Sequence, residues 1–216
     1  MRVLMFGWEF PPHISGGLGT ACEGLVYAML RQGMEVLFVV PKAYGDEETG
    51  NFKLLSAGDV VVSRRMQKYK SKFRYLSISS ALTPYTTPEL FAKKKEITTT
   101  KDHQKNYHFS FSGSYGHNLF EEVVNYASVA AQIAADQTFD VIHAHDWLTF
   151  PAGLAAKEVS GKPLVIHVHA TEFDRSGENV NPDVFKTEKA GMSGADHIVA
   201  VSALTKQIMV SRYGID

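Results

Sequence analysis

Four histidines fall in two pairs, His143 with His145 and His167 with His169, each pair split by a single apolar residue. Residues at i and i+2 of a strand point to one face, so pairs that end two strands bring four imidazoles to one side of a sheet. Imidazole in such a place can hydrogen-bond a hydroxyl, pass a proton or ligate a metal. Asp146 and Trp147 follow the first pair directly; Thr171, Glu172, Asp174 and Arg175 follow the second and carry polar groups to the same rim. His145 and His169 lie nearest the strand ends and are expected to meet a ligand. For His143 and His167, deeper in the strands, a packed core histidine is an equal alternative. Asp174 reads as a solvated or salt-bridged loop residue, while Glu172 stays open as a general base. A competing reading is a metal-dependent hydrolase, with His143, His145, His167, His169 and Asp146 supplying ligands to zinc or to a metal pair. Against it, Trp147 and Leu148 add no ligand, so no metal and no cofactor are expected.

A second chemical feature lies near the start, where Phe10 to Thr20 form a loop containing Gly16, Gly17 and Gly19 around Leu18. It follows the apolar run Val3 to Phe6 and precedes a segment from Thr20 to Arg31 with apolar residues at helical spacing. A strand, a glycine-rich turn and a helix place backbone amides at a helix N-terminus, which favours a phosphate or another anion. The loop has neither the P-loop spacing nor the dinucleotide pattern G-x-G-x-x-G. A tight strand-to-helix turn is the plain alternative.

The elements that must position these groups alternate. After the first strand and helix, Glu35 to Val40 is a second core strand, and the unit implies parallel pairing. Val60 to Val62 and Phe73 to Ile78 read as antiparallel or edge strands added to that core. From Thr83 to Asn118 the composition shifts to prolines, the lysine run Lys93 to Lys95, three threonines and scattered aromatics. This reads as an insertion or surface segment. The lysines form a solvated face, and Tyr85, Phe91, Tyr107, Phe109, Phe111 and Tyr115 offer either sugar-stacking rings or core packing. Phe120 to Ala135 fits an amphipathic helix. The order then continues with strand Asp140 to Ala144, helix Leu148 to Val159, strand Leu164 to His169, helix Pro182 to Met192 and strand His197 to Val201. A last helix is capped by Ser202. This rhythm predicts an α/β fold, a doubly wound and mostly parallel Rossmann-like sheet with helices on both faces and a short antiparallel extension. Its ligands lie beyond the C-terminal strand ends.

With 216 residues, 44% of them hydrophobic, the chain is expected to form a single domain over residues 1–216. A net charge of -1 gives no global field for nucleic acid. Cys22, the only cysteine, excludes an intramolecular disulfide and reads as a small buried apolar group on the first helix. No stretch approaches the ~18 apolar residues of a membrane span. A soluble, cytoplasmic protein without membrane or nucleic-acid partners is expected.

The motifs Glu9-Phe10-Pro11-Pro12 with Gly16-Gly17-Leu18, Val141-Ile142-His143-Ala144-His145-Asp146-Trp147, Ile166-His167-Val168-His169 and Gly194-Ala195-Asp196-His197 through Ser202 occur in one order across nearly the whole chain. Together they resemble the N-terminal domain of the glycogen and starch synthases, in the compact archaeal form. The resemblance implies half of a GT-B fold and retaining transfer of glucose from ADP-glucose or UDP-glucose to the non-reducing end of an α-1,4-glucan. It implies that the amides of Gly16 and Gly17 approach the donor phosphates. His145 corresponds to the active-site histidine that contacts the transferred glucose and stabilises developing oxocarbenium charge. His169 closes the next motif strand, and Leu18, Asp146, Trp147, Thr171 and Glu172 complete the substrate-binding set. Bacterial and plant members have a lysine where this chain has Ile14, and an asparagine where it has Ala170. The family's C-terminal domain, which supplies most of the nucleotide site, would be a partner outside these residues, and the chain by itself is expected to be inactive. The other readings are a different nucleotide-sugar enzyme of the same fold and a non-catalytic glucan-binding module.

Overall fold

The computed structural model describes residues 1–73, 75–76 and 106–216. The elements in chain order are β1 (Arg2–Phe6), α1 (Gly17–Arg31), β2 (Glu35–Val40), β3 (Lys53–Ser56), β4 (Val62–Ser63), α2 (Lys68–Lys72), β5 (Asn106–Tyr107) and α3 (Leu119–Asp136). They continue with β6 (Val141–His145), α4 (Phe150–Ser160), β7 (Leu164–Val168), α5 (Glu172–Ser176), α6 (Pro182–Gly194), β8 (His197–Ala200) and α7 (Ala203–Ile208). Six strands form one sheet in the order β3-β2-β1-β6-β7-β8, and every neighbouring pair is parallel. β4 and β5 form a separate antiparallel pair. The large sheet grows outward from β1 in both directions, so the chain's direction of winding reverses between β1 and β6. That reversal opens a crevice at the C-terminal strand ends.

Alternation in the strands sorts their side chains into two cores. Leu4, Phe6, Leu37, Val39, Ile142, Ala144, Leu164 and Ile166 face α3 and α4. Val3, Met5, Val36, Phe38 and Val40 face Cys22 and Val26 of α1. Met5 lies in register with His143, and His145 with His167, so the histidines belong to the α1 side. Close approach of α4 to the sheet depends on Gly153. A β-carbon there would stand 2.9 Å from both the Ala144 β-carbon and Leu164 Cδ1.

Helix α3 departs from the amphipathic expectation: every residue from Leu119 to Ala134 except Glu121 is buried. Its outer side is covered by the segment between β3 and α3, with Val62, Met66, Tyr69, Phe73, Leu76, Phe109 and Phe111 packed into the same core. The polar residues of α3 therefore bond to that cover. Gln132 Oε1 accepts from the Ser63 amide and hydroxyl at 3.0 and 2.8 Å, and Glu122 accepts the Ser112 amide at 2.8 Å. Burial pushes the Glu122 carboxyl above its ordinary range, against the pull of those bonds.

One sequence expectation changes here, one alternative is decided and one strand is new. Phe73, Tyr75 and Leu76 lie in a turn and helical residues after α2 rather than a strand. Phe109 and Phe111 are core side chains, not a sugar-stacking surface. β3, short and bounded by polar residues, carried no recognisable signal. Tyr85, Phe91 and the Lys93 to Lys95 run lie outside the described residues. Cys22 is buried and Ser202 caps α7, accepting the Thr205 amide at 3.0 Å, both as the sequence suggests. Among the described residues no helix is long and apolar enough to cross a membrane.

Candidate functional site

The loop after β1 is held by one acid that sequence reading passed over. Glu9 is buried, and its carboxylate accepts the Ser15 amide at 2.8 Å and the Gly19 amide at 3.2 Å. It thus stands in for the side-chain cap that Gly16, at the N-cap of α1, cannot provide. Gly19 has a packing reason to be glycine, since a β-carbon would meet Ile14 Cγ2 at 2.3 Å and Glu9 Cγ at 3.2 Å. Gly16 and Gly17 have none: a β-carbon on either meets nothing within 4 Å, and neither adopts positive φ. The helix begins at Gly17, three residues before its sequence-based start, so both glycines sit at the amide-rich end of a 15-residue helix. Leu18, partly buried, packs against both cores.

At the end of β6, Asp146 turns the chain with φ of 58°, an uncommon conformation for a residue with a side chain. Its surroundings fix it there. Oδ1 accepts the amides of His169 at 2.7 Å and Ala170 at 3.4 Å, and its own amide donates to the His167 carbonyl at 3.0 Å. Asp146 is therefore a latch between the ends of β6 and β7. Burial raises its carboxyl to about 6, although those amides and Arg175 pull it down. The same carboxyl, after burial itself, helps to push the Cys22 thiol up, which ties the first turns of α1 to the end of β6.

The four histidines do converge. Ring centroids of His143 and His145 are 4.3 Å apart, those of His167 and His169 4.2 Å, and those of His143 and His167 5.6 Å. His145 Nδ1 and His169 Nε2 share a hydrogen bond of 2.9 Å. His145 is completely buried and His143 nearly so, whereas His167 and His169 keep partial exposure. The expected depth order is thus reversed within the first pair, whose rings pack against those of the second. Burial lowers the pKa of all four, with the neighbouring imidazoles adding to the effect in His143, His145 and His167: His143 falls to about 3 and His167 to about 4. The cluster is neutral at pH 7. Three of its nitrogens, His143 Nε2, His145 Nε2 and His167 Nδ1, are buried without a hydrogen-bond partner. Each such omission costs about 1–3 kcal/mol.

The remaining sequence-selected residues are engaged inside the protein. Trp147 lies in the core against Phe120, with centroids 5.5 Å apart. Thr171, fully buried, forms a capping box with Asp174 at the start of α5. Glu172, the candidate base, is engaged as well. Its Oε1 accepts Ser176 Oγ at 2.7 Å and the Asn181 amide at 3.0 Å, and its Oε2 pairs with Arg175 Nε at 3.1 Å. Arg175 also pairs with Glu188, which accepts the Glu172 amide at 3.1 Å and the Tyr213 hydroxyl. Burial raises Glu188 to about 7 despite Arg175. No motif announces Glu188 in the sequence; the only hint is an acid on the inward side of α6.

The glycine-bearing helix end, the histidines and the switch point define a class: a Rossmann-like domain whose crevice is lined by amides and neutral imidazoles, suited to a hydroxyl- and phosphate-bearing ligand. The comparisons with known proteins give the family. Residues 2–215 match the starch synthase catalytic domain, and the chain belongs to that family of glycosyltransferases. The glycogen synthase of Mycobacterium tuberculosis is 25% identical over 182 residues, covering 81% of this chain and 35% of that protein. An uncharacterised glycosyltransferase of Methanocaldococcus jannaschii is 25% identical over 177 residues, covering 82% and 33%. The chain thus spans about a third of the length of these relatives. Among solved structures, the sucrose-phosphate synthase of Thermosynechococcus elongatus superposes with a TM-score of 0.61 at 12% identity, over 98% of this chain and 45% of that one. The catalytic domain of Arabidopsis thaliana starch synthase IV, bound to ADP and acarbose, gives 0.51 at 15% identity, over 99% and 47%. At such identities these two speak for the fold, that of the GT-B glycosyltransferases.

Proposed function

We propose that residues 1–216 are the N-terminal, acceptor-side half of a retaining, cytoplasmic glucosyltransferase. It moves glucose from ADP-glucose or UDP-glucose to the non-reducing end of an α-1,4-glucan, and a second Rossmann-like half supplies most of the nucleotide site. One observation carries the reading. Two glycines that the fold does not require stand at the N-terminus of α1, on the loop beside the histidine-bearing end of β6. Their lack of side chains lets a diphosphate approach the amides and the helix dipole. Leu18 shapes that approach from the same turn.

His145 and His169 act as a pair. His169, the more exposed, meets the sugar, and His145 fixes its orientation through their hydrogen bond. Neutral rings suit the chemistry, because an imidazolium would repel the positive charge that builds on the sugar, whereas a lone pair or ring dipole does not. Asp146 sets the position of His169 through its amide, and Trp147, Thr171 and Glu172 hold the two loops from within.

The test is glucosyl transfer into glycogen from labelled ADP-glucose and UDP-glucose. The complete transferase should be active. The 216 residues alone should not be, and substantial turnover by them would remove the need for a second half. In the complete enzyme, His169→Ala should lower kcat by about 10²–10³, the range for losing one transition-state contact. An unchanged kcat would favour a glucan-binding role over transfer.

A further inference from the structure

Two buried carboxylates share one guanidinium just past the end of β7, an arrangement that stability alone does not call for. Glu172 and Glu188 each keep 2% of their side-chain surface exposed, and Arg175 between them 20%. Apolar residues of similar volume often stabilise a fold as well as a buried ion pair does. What the ions add here is geometry. Arg175 Nη1 donates to the Ala170 carbonyl at 3.1 Å, while its Nε donates to Glu172 Oε2 at 3.1 Å and its Nη2 to Glu188 Oε1. We propose that Arg175, braced by Glu188, is a positioning residue that sets the His169 ring; its consequence for glucosyl transfer rests on the role given to His169 above.

The chain on either side of the His169 ring is held by different elements. Asp146 Oδ1, at the end of β6, accepts the His169 amide at 2.7 Å and the Ala170 amide at 3.4 Å. The next peptide is gripped at both its polar atoms from α5: Asp174 Oδ2 accepts the Thr171 amide at 2.7 Å, and Arg175 takes the Ala170 carbonyl. Between these anchors the His169 ring meets His145 at 2.9 Å. A helix of five residues is a weak anchor by itself, and Arg175 ties it to α6. A guanidinium presents its donors as a rigid planar fork, so three fixed acceptors leave it one orientation. Glu188 supplies the acceptor on α6, and its other oxygen accepts the Glu172 amide at 3.1 Å and the Tyr213 hydroxyl. The Ala170 carbonyl is thereby located relative to α6 and the Met209–Tyr213 turn, not only to its own loop. A compact ammonium at position 175 cannot reach all three acceptors at once.

The test is Arg175→Lys, which keeps a cation between the two carboxylates. In the 216-residue chain, amide exchange followed by NMR should quicken about tenfold or more at His169 and Ala170, while the amides within β7 keep their parental rates. Unchanged exchange overturns the proposal, and so does an equal increase along β7, which marks a general loss of stability. In the complete transferase kcat should fall about 10–100-fold with KM for donor and glucan within about twofold, the pattern of a misplaced reacting group. In the His169→Ala background the same substitution should change kcat by less than about twofold. Equal factors in the two backgrounds overturn the proposal. Glu188→Gln, which retains an acceptor oxygen, should lower kcat by a smaller factor, again only where His169 is present; an effect that persists without His169 counts against the brace. Lys157→Gln removes another cation, one bonded to the Gly194 carbonyl and Asp196 at the opposite ends of the strands, and should leave kcat unchanged. A matching loss there also overturns the proposal. If His169→Ala itself leaves kcat unchanged, the transfer role of His169 fails separately, and the exchange rates still decide whether Arg175 positions it.

Discussion

Glu9 and Asp146 hold the two sides of the crevice, and each does so as a single carboxylate accepting backbone amides. Glu9→Ala strands the amides of Ser15 and Gly19 and should cost about 1–2 kcal/mol. Urea unfolding measures this, and a cost indistinguishable from zero would mean that the loop is closed by other contacts. Asp146→Ala removes both the latch to His169 and a residue type that tolerates positive φ, so roughly 2–3 kcal/mol is expected. Asp146→Asn keeps the backbone tolerance and an acceptor oxygen, and should cost less than half as much; equal losses would rule out the latch. Residues of this kind are the hardest to read in a sequence. The histidine pairs were visible because alternation on a strand is a pattern, and their meeting followed from it. A lone acid that bonds to amides 6 to 24 positions away has no period and no motif.

At the level of elements, two glycines in helices should respond in opposite directions. Gly153→Ala pushes α4 against Ala144 and Leu164 and should destabilise by about 1–3 kcal/mol, overriding the better helix propensity of alanine. Gly24→Ala, on α1 with open space around it, should stabilise by ~0.5–1 kcal/mol. Thermal unfolding of the two variants checks both signs. The junction of α5, α6 and the terminal Met209–Tyr213 turn depends on pH through Glu188. Its folded value, about 7, lies above the ordinary carboxyl value of 4.5, so between those limits the folded state binds more protons than the unfolded one. Its contribution to stability is full below pH 4.5 and is lost as pH rises toward 7. Asp146, at about 6, titrates within that window, so the comparison is with Glu188→Gln. The difference in unfolding free energy between the parent and this variant should fall from pH 5 to pH 7.5, and a constant difference would contradict the assignment. Alternation and helical spacing revealed most strands and helices, but not β3, α2, β5 or α5. Those elements are two to five residues long, too short to show a period, and α5 is specified by its capping box.

For the whole molecule, the buried α3 between the sheet and the covering segment is the centre of the larger core. Its amides from Val123 to Ile133 should exchange with solvent only through global unfolding, more slowly than those of α1, and hydrogen-exchange mass spectrometry would show it. The parallel doubly wound architecture was legible because βα alternation leaves few topologies. The covering of α3 was not, since its apolar residues come at irregular intervals from strands, turns and short helices, and contact with a distant helix leaves no local signature. The strand order also dictates when the sheet can be completed. The Arg2 amide and the Asp140 carboxylate, bonded at the base of the β1–β6 pair, lie 138 residues apart. At ~5–20 residues per second, a ribosome needs on the order of ten seconds to deliver β6 after β1. Until then β1 and β2 can pair, but one flank of β1 remains a hydrophobic open edge, the state in which a nascent chain is most exposed to aggregation and to chaperone capture.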